Sequence, residues 1–166
     1  MVELAIVGAK NSGKTTVMEG LVAYLVGRGF RVATIKHTAH SHRFDTPGKD
    51  TFRHRDAGAA LTVARGEGET AIFAQPHVLD IQSFQELMHN RIDIWLIEGD
   101  RQADYPKIMV TRDPEGMSDD VPRNIVATIG PRRLDGVPMH FEMEDYSGLG
   151  SYVAEAITRQ RAERPA

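Results

Sequence analysis

Nine residues near the start of the chain, Gly8-Ala9-Lys10-Asn11-Ser12-Gly13-Lys14-Thr15-Thr16, limit the fold more than any other stretch. Their spacing is G-x-x-x-x-G-K-[ST], the phosphate-binding P-loop, and their surroundings suit it. Leu4-Ala5-Ile6-Val7 is an apolar run of strand length, and Val17 to Leu25 continues with apolar residues at helical spacing. Strand, glycine-rich turn and helix follow in the order the chemistry needs. Gly8 and Gly13 permit backbone conformations that a Cβ penalises, so successive N–H groups can face one concavity. That concavity opens on a helix N-terminus, where free N–H groups and the helix dipole favour an anion. Lys14 brings a mobile positive charge to the β- and γ-phosphates, and the Thr15 hydroxyl suits Mg²⁺. The stretch predicts a nucleotide-binding site spanning all nine residues.

Composition then narrows the class. The 166 residues suit one domain, and a net charge of −3 without a long basic run gives no nucleic-acid surface. There is no cysteine, which excludes disulfides, zinc–thiolate sites and thiol nucleophiles and suits a reducing cytosol. No apolar run approaches the ~20 residues that cross a bilayer. The N-terminus runs straight into strand and P-loop without a basic leader, so no signal peptide is expected.

Along the chain, a helix is expected from Lys14 to Gly27, with Met18, Leu21, Val22 and Leu25 on its inner face. Arg31 to Ile35 reads as a second buried strand, giving a right-handed parallel crossover. The segment Lys36 to Thr51 leaves the carboxyl end of that strand, the edge that also carries the P-loop. It is polar and contains Pro47 and Gly48. His37, His40 and His42 invite a transition-metal reading but lack supporting carboxylates at ligand spacing. A solvated loop and a switch in which Asp45 or Asp50 meets Mg²⁺ are the alternatives, with Lys49 or Arg53 free to meet an anion. Ala60–Ala64 and Thr70–Ala74, joined by Gly66-Glu67-Gly68-Glu69, read as a hairpin that extends the parallel sheet antiparallel at one side. Gln82 to His89 fits a helix with Phe84, Leu87 and Met88 facing inward.

Asp93-Ile94-Trp95-Leu96-Ile97-Glu98 is an apolar strand bracketed by two acids. At ~3.3 Å per residue these lie about 16 Å apart, so only Glu98 shares the P-loop edge. Glu98 is therefore the expected Walker-B-type acid, and Asp93 a strand-entry residue. Pro106–Val110 and Asn124–Ile129 are two further strands. Thr111-Arg112-Asp113 and Gly130-Pro131 at their carboxyl ends are candidates for lining a base pocket, although no Asn-Lys-x-Asp signature is present. Leu149–Ile157 suits a C-terminal amphipathic helix, and residues 159–166 a frayed tail after a single nucleotide-binding domain of residues 1–158. The architecture expected is a three-layer α/β P-loop NTPase fold, a mostly parallel sheet with helices on both faces.

Lys36-His37, His40, Asp45, Pro47-Gly48-Lys49-Asp50-Thr51 and Ala57-Gly58-Ala59, behind this P-loop, resemble the molybdopterin-guanine dinucleotide biosynthesis protein B (MobB) family. The resemblance continues at Glu98-Gly99 and Pro106-Lys107-Ile108 and covers nearly the whole chain. Two departures stand out: Ala39 where the family often has a second histidine, and Asp100-Arg101 where it usually has an apolar or aromatic residue followed by lysine. The resemblance implies a small cytoplasmic GTP-binding protein of molybdenum-cofactor maturation, with Mg²⁺ and slow GTP hydrolysis. It further implies a homodimer working with molybdopterin or the guanylyltransferase that makes the dinucleotide. On that reading Lys14 and Glu98 carry catalysis, and Thr15, Asp45 and Glu98 face the metal. A small-molecule kinase and a nucleotide- and pterin-binding adaptor with negligible turnover are the rival functions.

Overall fold

The computed structural model describes residues 2–38, 43–112 and 121–163. The chain divides into two compact units, Met1–Thr38 with Asn90–Ala166, and Ala39–His89.

The first unit is built on six strands: β1 (Val2–Gly8), β2 (Val32–Lys36), β5 (Ile94–Glu98), β6 (Lys107–Val110), β7 (Ile125–Ile129) and β8 (Met139–Phe141). Their spatial order is β2-β5-β1-β6-β7-β8, and every neighbouring pair is parallel. Strands buried on both faces need unbroken apolar runs, and β5 and β1 supply them in Ile94–Ile97 and Leu4–Val7. Side chains alternate between faces along each strand. Leu4, Ile6, Ile94, Leu96, Ile108, Val110, Ala127 and Ile129 form one face. The helices α1 (Lys14–Gly27) and α4 (Tyr146–Ala162) cover it with Val17, Leu21 and Leu25, and Leu149, Val153 and Ile157, each set recurring every four residues. The two helices approach closely because each offers a glycine to the other's tyrosine. A Cβ on Gly20 would lie 2.6 Å from the Tyr146 ring, and one on Gly150 would lie 2.2 Å from that of Tyr24.

Among the described residues of this unit, no helix covers the opposite sheet face. There Ala5, Val7, Ile97 and Met109 pack against Leu134, Val137 and Tyr105, which lie between strands. The β5–β6 connection is held down by the buried Lys107, whose Nζ donates to the carbonyls of Ala103 and, at 3.0 Å, Tyr105. β8 is three residues long, too short to show an alternating pattern in sequence. Residues 159–162, expected in a frayed tail, are instead the last residues of α4. Arg161 holds that last turn in place: its Nη2 lies 2.5 Å from Asp93 Oδ1 and its guanidinium 5.2 Å from the Phe30 ring centroid.

The second unit contains α2 (Asp50–Asp56), β3 (Leu61–Arg65), β4 (Thr70–Ala74) and α3 (Ile81–Leu87). β3 and β4 form the expected antiparallel hairpin, with Val63 opposite Ile72. It is a sheet of its own, and the six-stranded sheet is wholly parallel instead of mixed. Thr62 is buried while Leu61, Val63 and Ile72 are exposed, so one hairpin face is apolar and open. Asp80 caps α3 by accepting from Ser83 N at 2.9 Å. That helix buries Gln85 and leaves Leu87 exposed, so the inward placement of Leu87 is overturned. The helix spans only seven residues, less than two full turns, which is too little for the periodicity to fix its inner face.

Candidate functional site

The P-loop lies where the connections from the central strands diverge, β1 being flanked by β5 on one side and β6 on the other. Ligands of parallel α/β sheets bind at such a switch point, outside the carboxyl ends of the strands. The loop is shaped by close approach. A Cβ on Gly8 would sit 2.7 Å from Ser12 Oγ and 2.8 Å from the Val110 carbonyl. Asn11 and Gly13 take left-handed φ of 62° and 94°, turning the chain so that α1 starts at Lys14 without a side-chain cap or an acid in its first turn. The first N–H groups of α1 are thus left for a ligand.

A cleft of about 540 Å³ opens over the loop, lined by Lys10, Asn11, Gly13, Lys14, Thr15, Thr16, Lys36, Glu98 and Arg112. Among the described residues, four cationic side chains and one carboxylate line this space, a balance that suits an anion. Lys14 Nζ is turned back on its own loop, donating to Ala9 O at 2.5 Å and Gly8 O at 3.3 Å. Burial, followed by Lys36 and Arg101, holds its ammonium below the ordinary lysine pKa, with Glu98 opposing. An anion in the cleft would relieve that pressure.

Glu98 stands at the end of β5, 14% exposed, in register with Lys36 at the end of β2. Its Oε1 receives Lys36 Nζ at 2.8 Å and the Thr15 hydroxyl at 3.2 Å. Asp93, at the opposite end of β5, accepts from Arg31 N, Nε and Nη2 at 2.8, 3.1 and 2.8 Å, and lies 2.5 Å from Arg161. Its carboxyl is held far below the usual range, chiefly by the Arg31 hydrogen bond and further by Arg161, against the cost of burial. The two acids therefore stand at opposite ends of β5 with different partners, Glu98 at the P-loop edge and Asp93 in an arginine clasp.

The buried Ser12 Oγ has no hydrogen-bond partner among the described residues, so this loop is not saturated by its own contacts. Mg²⁺ prefers oxygen ligands and shares its shell with phosphates. Thr15 and Glu98 offer two such oxygens side by side, and among the described residues no group of three or more His, Cys, Asp or Glu could hold a metal by itself. The donor set fits a metal that arrives with a phosphate ligand.

Asp45 belongs to the Ala39–His89 unit and is buried there. Its Oδ1 accepts from Thr46 N at 2.8 Å and Thr51 Oγ1 at 3.0 Å, and Oδ2 lies 3.7 Å from Arg55 Nη1. His40, His42 and Asp113 lie outside the described residues. Sequence reasoning did not pair Lys36 with Glu98. The signal was available, because both end parallel strands at the same edge. A groove of about 630 Å³ between the far ends of α1 and α4, lined by Tyr24, Arg28 and Ser151 among others, carries no phosphate-binding element.

Residues 3–130 match the family model described as molybdopterin guanine dinucleotide synthesis protein B. The chain belongs to the MobB family. The molybdopterin-guanine dinucleotide biosynthesis adapter protein of Escherichia coli K12 is 30% identical over 164 residues, 95% of this chain and 94% of that one. A probable adapter protein of the same biosynthesis from Bacillus subtilis is 32% identical over 131 residues, 75% and 73% of the two chains. The crystal structure of Bacillus subtilis MobB superposes with a TM-score of 0.76 at 28% identity, covering 93% of this chain and 98% of that one. These MobB relatives support the family resemblance read from the Lys36-His37 and Pro47–Thr51 blocks.

Proposed function

We propose that this MobB-family chain binds guanine nucleotide with Mg²⁺ and assists the attachment of GMP to molybdopterin, hydrolysing GTP slowly. The observation that carries the reading is the convergence of Thr15 and Glu98 on one edge of the P-loop cleft. The loop N–H groups and the first turn of α1 take the phosphates. Lys14 leaves the Ala9 and Gly8 carbonyls for the β- and γ-phosphate oxygens, exchanging neutral acceptors for charged ones. Thr15 and Glu98 hold Mg²⁺, which supplies charge neutralisation when bound. Catalysis would then rest on positioning and charge neutralisation around the γ-phosphate, with the Thr15 hydroxyl and the Glu98 carboxylate engaged by the metal and not acting as nucleophile and base. Lys14 and Glu98 are the catalytic residues on this reading.

The biosynthetic role rests on the family and on the adapter names of its members. The partner that fits the role is the guanylyltransferase that forms the dinucleotide, and the open apolar face of the hairpin supports a homodimer. Among the described residues no helix is long and apolar enough to cross a membrane, in keeping with a cytoplasmic role. Titration calorimetry with GTP, GDP and ATP, each with and without Mg²⁺, tests the reading. Mg²⁺-dependent GTP binding that ATP does not match supports it, and an absence of nucleotide binding sinks it. A second reading, an adaptor with negligible turnover, is favoured by Glu98 being the sole acid among the described residues that line the cleft, and by its pairing with Lys36. A GTPase assay on the same samples separates the two.

A further inference from the structure

Lys36 is the most exposed partner in the cleft's ion pair, with 64% of its side chain in solvent, yet its Nζ sits 2.8 Å from the 14%-exposed Glu98 carboxylate. The oxygen it occupies, Glu98 Oε1, is also the one that receives the Thr15 hydroxyl. An ammonium therefore stands where the oxygens of Thr15 and Glu98 come together. Lys14 is also parked, on the backbone carbonyls of Ala9 and Gly8. We infer that Lys36 is a place-holding cation: it neutralises Glu98 while the cleft is empty, competes with a divalent ion for that carboxylate, and yields only when a terminal phosphate is present to receive its charge. The inference rests on the proposed metal–nucleotide reading of this cleft.

The physical case is one of charge balance. A carboxylate that is largely shielded from water is costly without a counter-charge, and β2 supplies one from the residue in register with it. A divalent ion entering beside Lys36 would bring like charges within a few ångströms, so it binds weakly unless the ammonium moves. Lysine suits the task because its charge is compact and its four-carbon stem is flexible. β2 lies at the edge of the sheet, where one flank of Lys36 carries no neighbouring strand. A triphosphate offers the displaced ammonium a terminal anion that a diphosphate lacks. Lys36 thus ties metal entry to the identity of the nucleotide.

The test uses Mn²⁺ as a spectroscopic probe of the nucleotide-free protein, followed by electron paramagnetic resonance. K36M and K36Q remove the competitor, and Mn²⁺ should bind about fivefold more tightly to both, the factor an exposed ion pair carries. K36R keeps a cation and should retain weak Mn²⁺ binding. With Mg²⁺ present, K36M should also reduce the preference for GTP over GDP. Mn²⁺ affinity that is unchanged or weaker in folded K36M and K36Q overturns the inference, as does an unaltered GTP-to-GDP ratio. The Mn²⁺ arm contains no nucleotide. Failure of wild-type protein to bind Mg²⁺–GTP therefore counts against the proposed function, whereas normal wild-type binding with an indifferent Lys36 counts against this inference alone.

Discussion

Thr15 and Glu98 are 83 residues apart in sequence, and their side-chain oxygens are 3.2 Å apart in the fold. Parallel pairing produces this. Ile6 of β1 is in register with Glu98 of β5, so the acid ends its strand just as the neighbouring strand enters the P-loop. The site is fixed by strand register, with loop chemistry added to it.

Lys14→Ala tests the phosphate assignment. The side chain reaches only its own loop carbonyls and the cleft, so folding should be retained. Loss of one charge-assisted contact costs roughly 1.5–3 kcal/mol, so guanine nucleotide should bind roughly 10- to 100-fold more weakly by calorimetry. Wild-type affinity in the folded variant would rule out the P-loop role.

Glu98→Gln and Asp93→Asn should part company. The first should depress Mg²⁺-dependent hydrolysis and metal binding with little effect on melting. The second removes the charge that Arg31 and Arg161 share. It should cost about 2 kcal/mol, roughly 4–8 °C in melting temperature, with hydrolysis largely kept. Equal losses of activity in two folded variants would show that the edges of the sheet are misassigned.

Acid should unfold the protein partly through Asp93. Its folded-state pKa lies below the unfolded value of about 3.9. The unfolded chain therefore binds the extra proton first, and stability falls as pH drops below about 4. Above that the contribution is fully present. In denaturant titrations between pH 6 and 3, the wild type should lose more stability than Asp93→Asn. Parallel pH profiles would discount the clasp.

Asp45 retains one buried oxygen, Oδ2, without a hydrogen-bond partner among the described residues. If the Asp45 segment responds to nucleotide, triphosphate with Mg²⁺ should slow amide exchange around it by about tenfold, and diphosphate by less. Asp45→Asn should narrow the difference. Exchange indifferent to nucleotide would assign Asp45 to holding Thr46, Thr51 and Arg55 within its own unit.

Much of this was legible in the chain because the informative signals were local or periodic. Strand, P-loop and helix from Leu4 to Leu25 lie within one continuous segment, and Ile94–Glu98 is a run that only a doubly buried strand accommodates. Strand length alone separated Glu98 from Asp93. What escaped depended on partners distant in sequence. The hairpin signal shows that the two strands pair with one another, but it does not say which sheet the hairpin joins. Arg161 reads as a tail residue until Asp93, 68 positions earlier (161 − 93), is seen beside it. Lys36 reads as a loop entrance until strand pairing sets it against Glu98.

The sheet order also bears on how the chain is made. β1 precedes β5 and β6 in the chain but sits between them, with Val2 opposite Ile94 and Ala5 opposite Lys107. Neither flank exists until the ribosome has passed Ile94, so the strand that carries the P-loop waits for both of its neighbours. Its closure entropy is met late. A nascent chain arrested before Ile94 has emerged should remain open to protease through Gly8–Thr16, and one arrested after Val110 should be protected there. The phosphate loop is therefore translated well before the strands that flank β1 and takes shape only after them.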